Sequence, residues 1–388
     1  MEKFIPLSVP NLKGNELKYV TEAITSEWVS TGGSMINRFE EDMATYLGAD
    51  AAVACQSGTA GLHLSLLTAG VGPEDEVLVP TLTFIAAVNP VTYVGAKPVF
   101  LDCDDSLCLD PDKLEAFCRN ECMLEHGVLI NKQTHRPIKA LVVVHVFGNM
   151  ADMERIMLVA ETYGLIVIED ATEALGTYYT AGKYNGKFAG TIGHFGVYSF
   201  NGNKIITTGG GGMLVARNKQ QLQYAKYLST QAKDDEIQFI HHEIGYNYRM
   251  TNLQAALGVA QLEQLEDFIA VKHENYEVYK QEISDVNGVS LLPFRSGIRP
   301  NYWFYSLFIE NTQHSKLTRT ELLERFSKNN IQTRPIWGLI HQQQPYKCFQ
   351  QYNIEEAEYY YERILNIPCS SNLKTEEVQR VVACLKNA

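Results

Sequence analysis

Three short stretches of this chain carry side chains whose types and spacing could do chemistry. Gln56-Ser57-Gly58-Thr59-Ala60-Gly61-Leu62 sets two hydroxyls and a glycine where a helix would open. Free backbone N–H groups at a helix N-terminus attract phosphate, and a glycine lets the backbone approach it closely. The same Ser-Gly-Thr turn serves equally well as an ordinary helix N-cap. In Ile168-Glu169-Asp170-Ala171-Thr172-Glu173-Ala174 an apolar run ends on Asp170. A carboxylate at a strand end can pair with a protonated ring nitrogen, or simply cap the next turn. Tyr198-Ser199-Phe200-Asn201-Gly202-Asn203-Lys204 precedes Ile205-Ile206-Thr207-Thr208 and four glycines, Gly209 to Gly212. A lysine on short, anchored backbone suits Schiff-base chemistry, although a lysine taken alone is ordinarily a solvated surface charge. Ser199 could reach the same phosphate as Thr59.

These groups need elements to position them. From about residue 50, short apolar runs alternate with longer periodic ones. Ala51 to Cys55, Glu76 to Pro80, Pro98 to Leu101, Ala140 to Val144 and Leu165 to Ile168 read as buried strands, and Thr59 to Ala69 and Met153 to Tyr163 as helices. The alternation predicts an α/β fold with a mostly parallel sheet covered by helices on both faces. In such sheets ligands gather at the carboxyl ends of strands, where all three stretches fall. A phosphate cradle, a pyridinium partner and an aldehyde anchor are the fixtures that pyridoxal phosphate requires.

After Arg217 the pattern changes. Asn252 to about Ile283 reads as one long amphipathic helix leaving the large unit, Tyr302 to Phe308 as a strand, and Thr318 to Lys328 and Glu355 to Leu365 as helices. The expected division is residues 1–250, an N-terminal segment and large α/β domain, and residues 251–388, a connecting helix and smaller C-terminal α+β domain. Asn120 to Lys139 lacks periodicity and reads as a surface excursion. The aromatic run Tyr302 to Tyr305 is expected in the core.

The 388 residues, 45% apolar and 20% charged, suit a folded globular protein. A net charge of −12 without a basic run argues against non-specific nucleic-acid binding. An anionic small molecule would need a local basic pocket, for which Lys183, Arg249 and Arg334 are candidates. No stretch approaches the roughly 18 uninterrupted apolar residues of a membrane span, so the expected location is the cytoplasm, without membrane contact. Eight cysteines lie mostly in apolar or helical patterns and read as reduced thiols. Cys103, Cys108, Cys118 and Cys122, near His126 and His135, match no tight zinc spacing, and no metal is expected.

Several stretches resemble the DegT/DnrJ/EryC1/StrS family of sugar aminotransferases, a branch of the fold type I PLP-dependent enzymes. They are Pro80 to Phe84, Gly95 to Phe100, His145-Val146-Phe147-Gly148, Glu169-Asp170-Ala171, Ser199 to Lys204 and Gly245-Tyr246-Asn247-Tyr248-Arg249-Met250. The likeness covers nearly the whole chain. It implies that Lys204 and Asp170 are catalytic, that Phe84 stacks on the cofactor ring, and that Glu173 lies near the ring hydroxyl. It further implies that Ser57, Gly58, Thr59 and Ser199 hold the phosphate, and that Asn247 reaches the phosphate of the neighbouring subunit in a homodimer. Thr31, Lys183, Arg249 and His341 are the implied or candidate substrate contacts. For Asn247 and Arg249 the residues alone suggest only turn and helix-entry positions, and for Thr31 a turn residue.

The implied reaction moves the amino group of L-glutamate, through pyridoxamine phosphate, to a nucleotide-linked keto sugar. Glu173 and Asn201 stand where many relatives have Gln and His, as in the LegC-like enzymes. That subgroup implies UDP-2-acetamido-2,6-dideoxy-4-ketohexose as acceptor, the alternative being a GDP- or dTDP-linked 4-keto sugar of perosamine type or a 3-keto sugar. A sugar dehydratase of the same family would carry His in place of Lys204. A PLP-binding regulatory protein without turnover is the alternative outside enzymes.

Overall fold

A computed structural model describes residues 3–235, 237–310 and 318–386. Its large sheet is built from β1 (Val53–Cys55), β2 (Glu76–Pro80), β3 (Lys97–Leu101), β4 (Cys122–Glu125), β5 (Val128–Asn131), β6 (Pro137–Val144) and β7 (Ile166–Asp170). After the short β8 (Tyr178–Tyr179) it is completed by β9 (Phe195–Ser199) and β10 (Gly212–Ala216). The strand order is β1-β10-β9-β7-β6-β2-β3, with β4 and β5 attached beside β6. From β3 through β9 the pairings are parallel, whereas β10 runs antiparallel to both β9 and β1. Val77, Leu78 and Val79 of β2 and Leu141, Val142 and Val143 of β6 are all essentially inaccessible. Such uninterrupted apolar runs are the mark of strands covered on both faces. Helices Gly58–Thr68, Met153–Tyr163 and Lys219–Ser229 supply that cover.

The C-terminal unit holds a four-stranded antiparallel sheet made of β11 (Val289–Leu291), β13 (Tyr305–Ile309), β14 (Arg334–Pro335) and β15 (Ile364–Ile367), in the order β11-β13-β15-β14. Between β11 and β13, β12 (Ile298–Arg299) leaves this sheet and pairs with β8, which lies between β7 and β9 in the chain. The first described residues pair with C-terminal segments of the chain. The Ile5 N–H donates to Asn330 O at 2.9 Å, and the Cys369 N–H donates to Leu7 O at 2.8 Å. No helix among the described residues is long and apolar enough to cross a membrane.

Four local expectations are corrected. The excursion at 120–139 is the hairpin β4–β5, extended onto β6. Its polar inward residue, Asn131, is buried against the Glu76 carboxylate at 2.7 Å, a tertiary partner that hides the apolar alternation. The long helix is two, Asn252–Leu262 and Leu265–Glu282. At the break, Glu263 receives hydrogen bonds from Asn15, Tyr19 and Arg38 while Gln264 donates to Glu16, so the packing of helix Glu16–Thr25 sets the bend. Ile364 and Leu365 belong to β15, because helix Glu356–Arg363 stops where their burial on β13 begins. Finally, Tyr302 has φ +55° and the strand starts only at Tyr305, which turns Trp303 and Phe304 toward the large sheet.

Cys103, Cys108, Cys118 and Cys122 are buried free thiols. Burial pushes Cys108 and Cys122 up to about 12. Among the described residues no group of three or more His, Cys, Asp or Glu side chains could hold a metal.

Candidate active site

The three stretches meet on one rim of the large sheet. Ser57 has extended backbone (φ −165°, ψ 160°), and its hydroxyl accepts from the Ala60 N–H at 3.1 Å. Ser57 is therefore the N-cap of helix Gly58–Thr68, with its own hydroxyl proton left to donate. The N–H groups of Gly58 and Thr59 belong to the first turn, where no intrahelical acceptor exists. A Cβ on Gly58 would stand 2.9 Å from Thr172 Cγ2 and 3.1 Å from Ser199 Cβ, and one on Gly212 would stand 2.5 Å from the Ser57 carbonyl carbon. Two glycines thus allow the helix end, the end of β7 and the end of β9 to converge.

Asp170 ends β7 and is 4% exposed. Its Oδ1 accepts from the Thr172 N–H at 3.1 Å. Burial raises its pKa, opposed by Thr172 and by the Lys204 ammonium. Behind it, His145 Nδ1 accepts from the Ala151 N–H at 3.2 Å, so Nε2 carries the proton and donates to Glu169 Oε2 at 2.8 Å. Glu169 also receives the N–H groups of Gly190, Ile192 and Gly193. This satisfied carboxylate pins the turns on either side of β7.

Lys204 lies in the β9–β10 connection, its backbone N–H donating to Asn201 O at 3.0 Å. Its Nζ is 3.6 Å from Glu173 Oε1, while Glu173 Oε2 accepts from the Phe147 N–H at 2.9 Å. Burial pushes the Glu173 carboxyl up to about 7 against the opposing pull of Lys204. In the cofactor-free protein the folded chain therefore keeps a proton that the unfolded chain has lost, and stability falls as pH rises from the ordinary glutamate range to about 7. Glu173→Gln is expected to remove about 3 kcal/mol of that pH-dependent loss. Urea unfolding of both proteins at pH 5 and pH 8 measures it, and parallel curves would contradict it.

A cavity of about 280 Å³ is lined by Ser57, Gly58, Thr59, Phe84, Asp170, Glu173, Ser199 and Lys204. Its wall also contains Thr172, Asn201, Asn203, Trp303, Phe304 and Trp337, which the sequence did not single out as site residues. The expected core run is thus partly a site wall. Trp303 and Phe304 stack at 4.0 Å between centroids, Phe147 lies 4.6 Å from Trp337, and the half-exposed Phe84 lies 6.5 Å from Trp337. No local signal marks Trp303, Phe304 and Trp337 as site residues, since they arrive from segments far along the chain from the strand ends. Their placement depends on Gly148, whose φ is +90°. A Cβ there would stand 2.0 Å from Asn301 Oδ1 and 2.9 Å from the Trp303 nitrogen. Gly148→Ala is expected to cost about 3 kcal/mol or more, read as a lowered thermal midpoint.

The remaining expected residues do not line this cavity within one chain. Asn247 is exposed, and bridges Thr230 through its backbone. Arg249 bridges Cys55 through its backbone, and its Nε is buried without a hydrogen-bond partner among the described residues. Thr31 is half-buried between helices Glu16–Thr25 and Ser34–Leu47. Lys183 is exposed, with Nζ 5.2 Å from the Tyr184 ring. His341 holds Thr81, Nδ1 to Oγ1 at 2.6 Å, and burial lowers its pKa. Arg334 is exposed on β14, in a surface groove with Phe4 and Leu323.

Residues 10–386 match the DegT/DnrJ/EryC1/StrS aminotransferase family. The chain belongs to this family. It is 37% identical to a GDP-perosamine synthase of Escherichia coli O157:H7, over 97% of this chain and 96% of that one. A GDP-perosamine synthase of Caulobacter vibrioides is 36% identical, over 98% and 97%. Among solved structures, the aminotransferase TlmJ of Streptoalloteichus hindustanus superposes with a TM-score of 0.87 at 28% identity, over 99% and 98%. The protein is accordingly a PLP-dependent sugar aminotransferase with the fold type I architecture. The site suits that cofactor on its own chemistry: a helix end with free N–H groups and hydroxyls, a buried carboxylate with one oxygen engaged by Thr172, and a lysine amine share one cavity.

Proposed function

We propose that this aminotransferase moves the amino group of L-glutamate to C4 of a nucleotide-linked 4-keto-6-deoxy sugar, acting as a homodimer. The observation that carries the reading is Lys204 Nζ beside the buried carboxyls Glu173 and Asp170 in one cavity at the strand ends. When bound, pyridoxal phosphate supplies the electron sink for cleavage at the donor α-carbon and stores nitrogen between the half-reactions. Lys204 would hold the aldehyde carbon of the cofactor, and its amine would carry the proton taken from the donor α-carbon. Asp170 keeps a proton on the ring nitrogen. Gly58 and Thr59 N–H groups and the Ser57, Thr59 and Ser199 hydroxyls would bind the phosphate, and Phe84 would pack against the cofactor. The aromatic wall excludes water from the reacting atoms.

For the acceptor, the extended similarity to two GDP-perosamine synthases favours a GDP-linked perosamine-type sugar. The UDP-linked 2-acetamido sugar, implied by Glu173 and Asn201, is the second reading. A panel of GDP-, dTDP- and UDP-linked 4-keto sugars with glutamate tests both. Turnover of 3-keto sugars alone would overturn both. A regulatory protein would bind the cofactor and show a visible band unchanged by every amino donor.

Thr31, Lys183, Arg249, Arg334 and His341 remain the candidates for substrate carboxylate, diphosphate and sugar. The unpartnered, buried Arg249 Nε supports a ligand or second subunit at that position. Asn247, exposed and outside its own chain's cavity, supports a site shared across the dimer. Mixing Lys204→Ala with Asn247→Ala chains is then expected to restore up to about a quarter of wild-type activity per site through hybrid dimers, as random pairing gives half hybrids with one intact site each. No recovery after demonstrated subunit exchange would rule out the shared site.

A further inference from the structure

We infer that Trp303 is a positioning residue for the Lys204 amine, set in place by the buried side chain of Asn301. The inference rests on Lys204 as the lysine that holds the cofactor.

Lys204 Nζ contacts two groups, Glu173 Oε1 at 3.6 Å and the Trp303 ring at 4.3 Å from its centroid. Only 12% of the lysine side chain and 2% of Trp303 are exposed, so water does little to screen the contact. An ammonium over an indole face is attracted by the ring quadrupole, and more strongly where it is desolvated. The indole also reaches the lysine loop directly, since Nε1–H donates to Asn203 O at 2.8 Å. One side chain therefore holds both the amine and the backbone immediately before it.

Asn301 fixes the spacing of the two flanking groups. It is fully buried, and its amide nitrogen donates to Glu173 O and Leu175 O, both at 2.9 Å. Its Oδ1 accepts the Trp303 N–H at 2.9 Å. The same amide thus bonds to the backbone of Glu173 and of Trp303, the two residues that contact the amine. Gly148 leaves the space this requires. A long, flexible lysine loses rotamer freedom when it is held, and a rigid aromatic face lowers that cost before the reaction begins. Glu173 and Asp170 are titratable groups of the cavity whose charges couple to Lys204, and both side chains are retained when Trp303 is changed.

The test compares Trp303→Leu, Trp303→Met and Trp303→Phe. The Phe variant keeps an aromatic face and loses the Nε1 donor, while Leu and Met keep apolar volume without a face. On cofactor-free protein, the rate at which Lys204 captures pyridoxal phosphate, followed by growth of the visible band, is expected to fall about tenfold for Leu and Met and to stay within about threefold for Phe. In the half-reaction with saturating L-glutamate the rate constant falls in the same order, with the half-saturating glutamate concentration changed less than about threefold. Capture by Leu and Met at the wild-type rate, a loss confined to glutamate affinity, or failure of both to fold while Phe behaves as wild type only in stability would overturn the inference. A Lys204→Ala control that still forms the covalent visible band would instead remove the assignment of Lys204 itself.

Discussion

Lys204→Ala is expected to slow transamination by about 10⁴-fold while leaving the cofactor bound. In the proposed mechanism the amine serves two purposes, as aldehyde anchor and as proton carrier, and among the described residues no other lysine lines the cavity. Glu173 is close to it, at 3.6 Å, but that carboxyl is tied to the Phe147 N–H and does not replace a mobile amine. The cofactor is retained because the helix end at Gly58, the hydroxyls of Ser57, Thr59 and Ser199, and the Asp170 carboxylate are anchored independently of Lys204. Single-turnover absorbance with glutamate gives the rate, and a cofactor-to-protein ratio gives the occupancy. Turnover within tenfold of wild type would refute the role. Partial rescue by a small added primary amine, without change in the thermal midpoint, would identify the missing group as the amine itself.

Asp170→Asn is expected to lower the rate constant by about 10³-fold at near-constant shape. Its Oδ1 would still accept from the Thr172 N–H, so the local geometry has a substitute. The charge has none. A buried carboxylate is costly unless a cation faces it, and Lys204 lowers that cost only in part. Removing the charge in the cofactor-free protein is therefore expected to leave stability equal or higher, while the bound ring loses its proton and its power to accept electrons. Thermal melts with and without cofactor separate the two effects. A variant that melts lower without cofactor and reacts normally with it would reverse the assignment.

The parallel sheet was legible because its strands are buried on both faces, and apolar runs such as Val77 to Val79 and Leu141 to Val144 announce that environment locally. Asp170, Ser199 and Lys204 were legible because each closes or succeeds such a run. The hairpin at 122–131 was not, since Asn131 owes its burial to Glu76. Nor was the break at Glu263, which depends on Asn15 and Glu16 at the start of helix Glu16–Thr25.

By itself, then, the sequence determined the buried apolar strands of the sheet, the rim on which the three stretches converge, and the family to which the chain belongs. Those properties are set by periodicity and by side chains close to their own strand ends. Only the tertiary structure decided the aromatic wall, the double hold on the Lys204 amine by Glu173 and Trp303, and the part played by Gly148 and Asn301. Trp303 lies about a hundred positions from Lys204, and the contact exists because β12 crosses to β8 and Asn301 fastens the Trp303 backbone to Glu173, just past the end of β7. Such a contact arises from packing between units, for which no local pattern of residues is required.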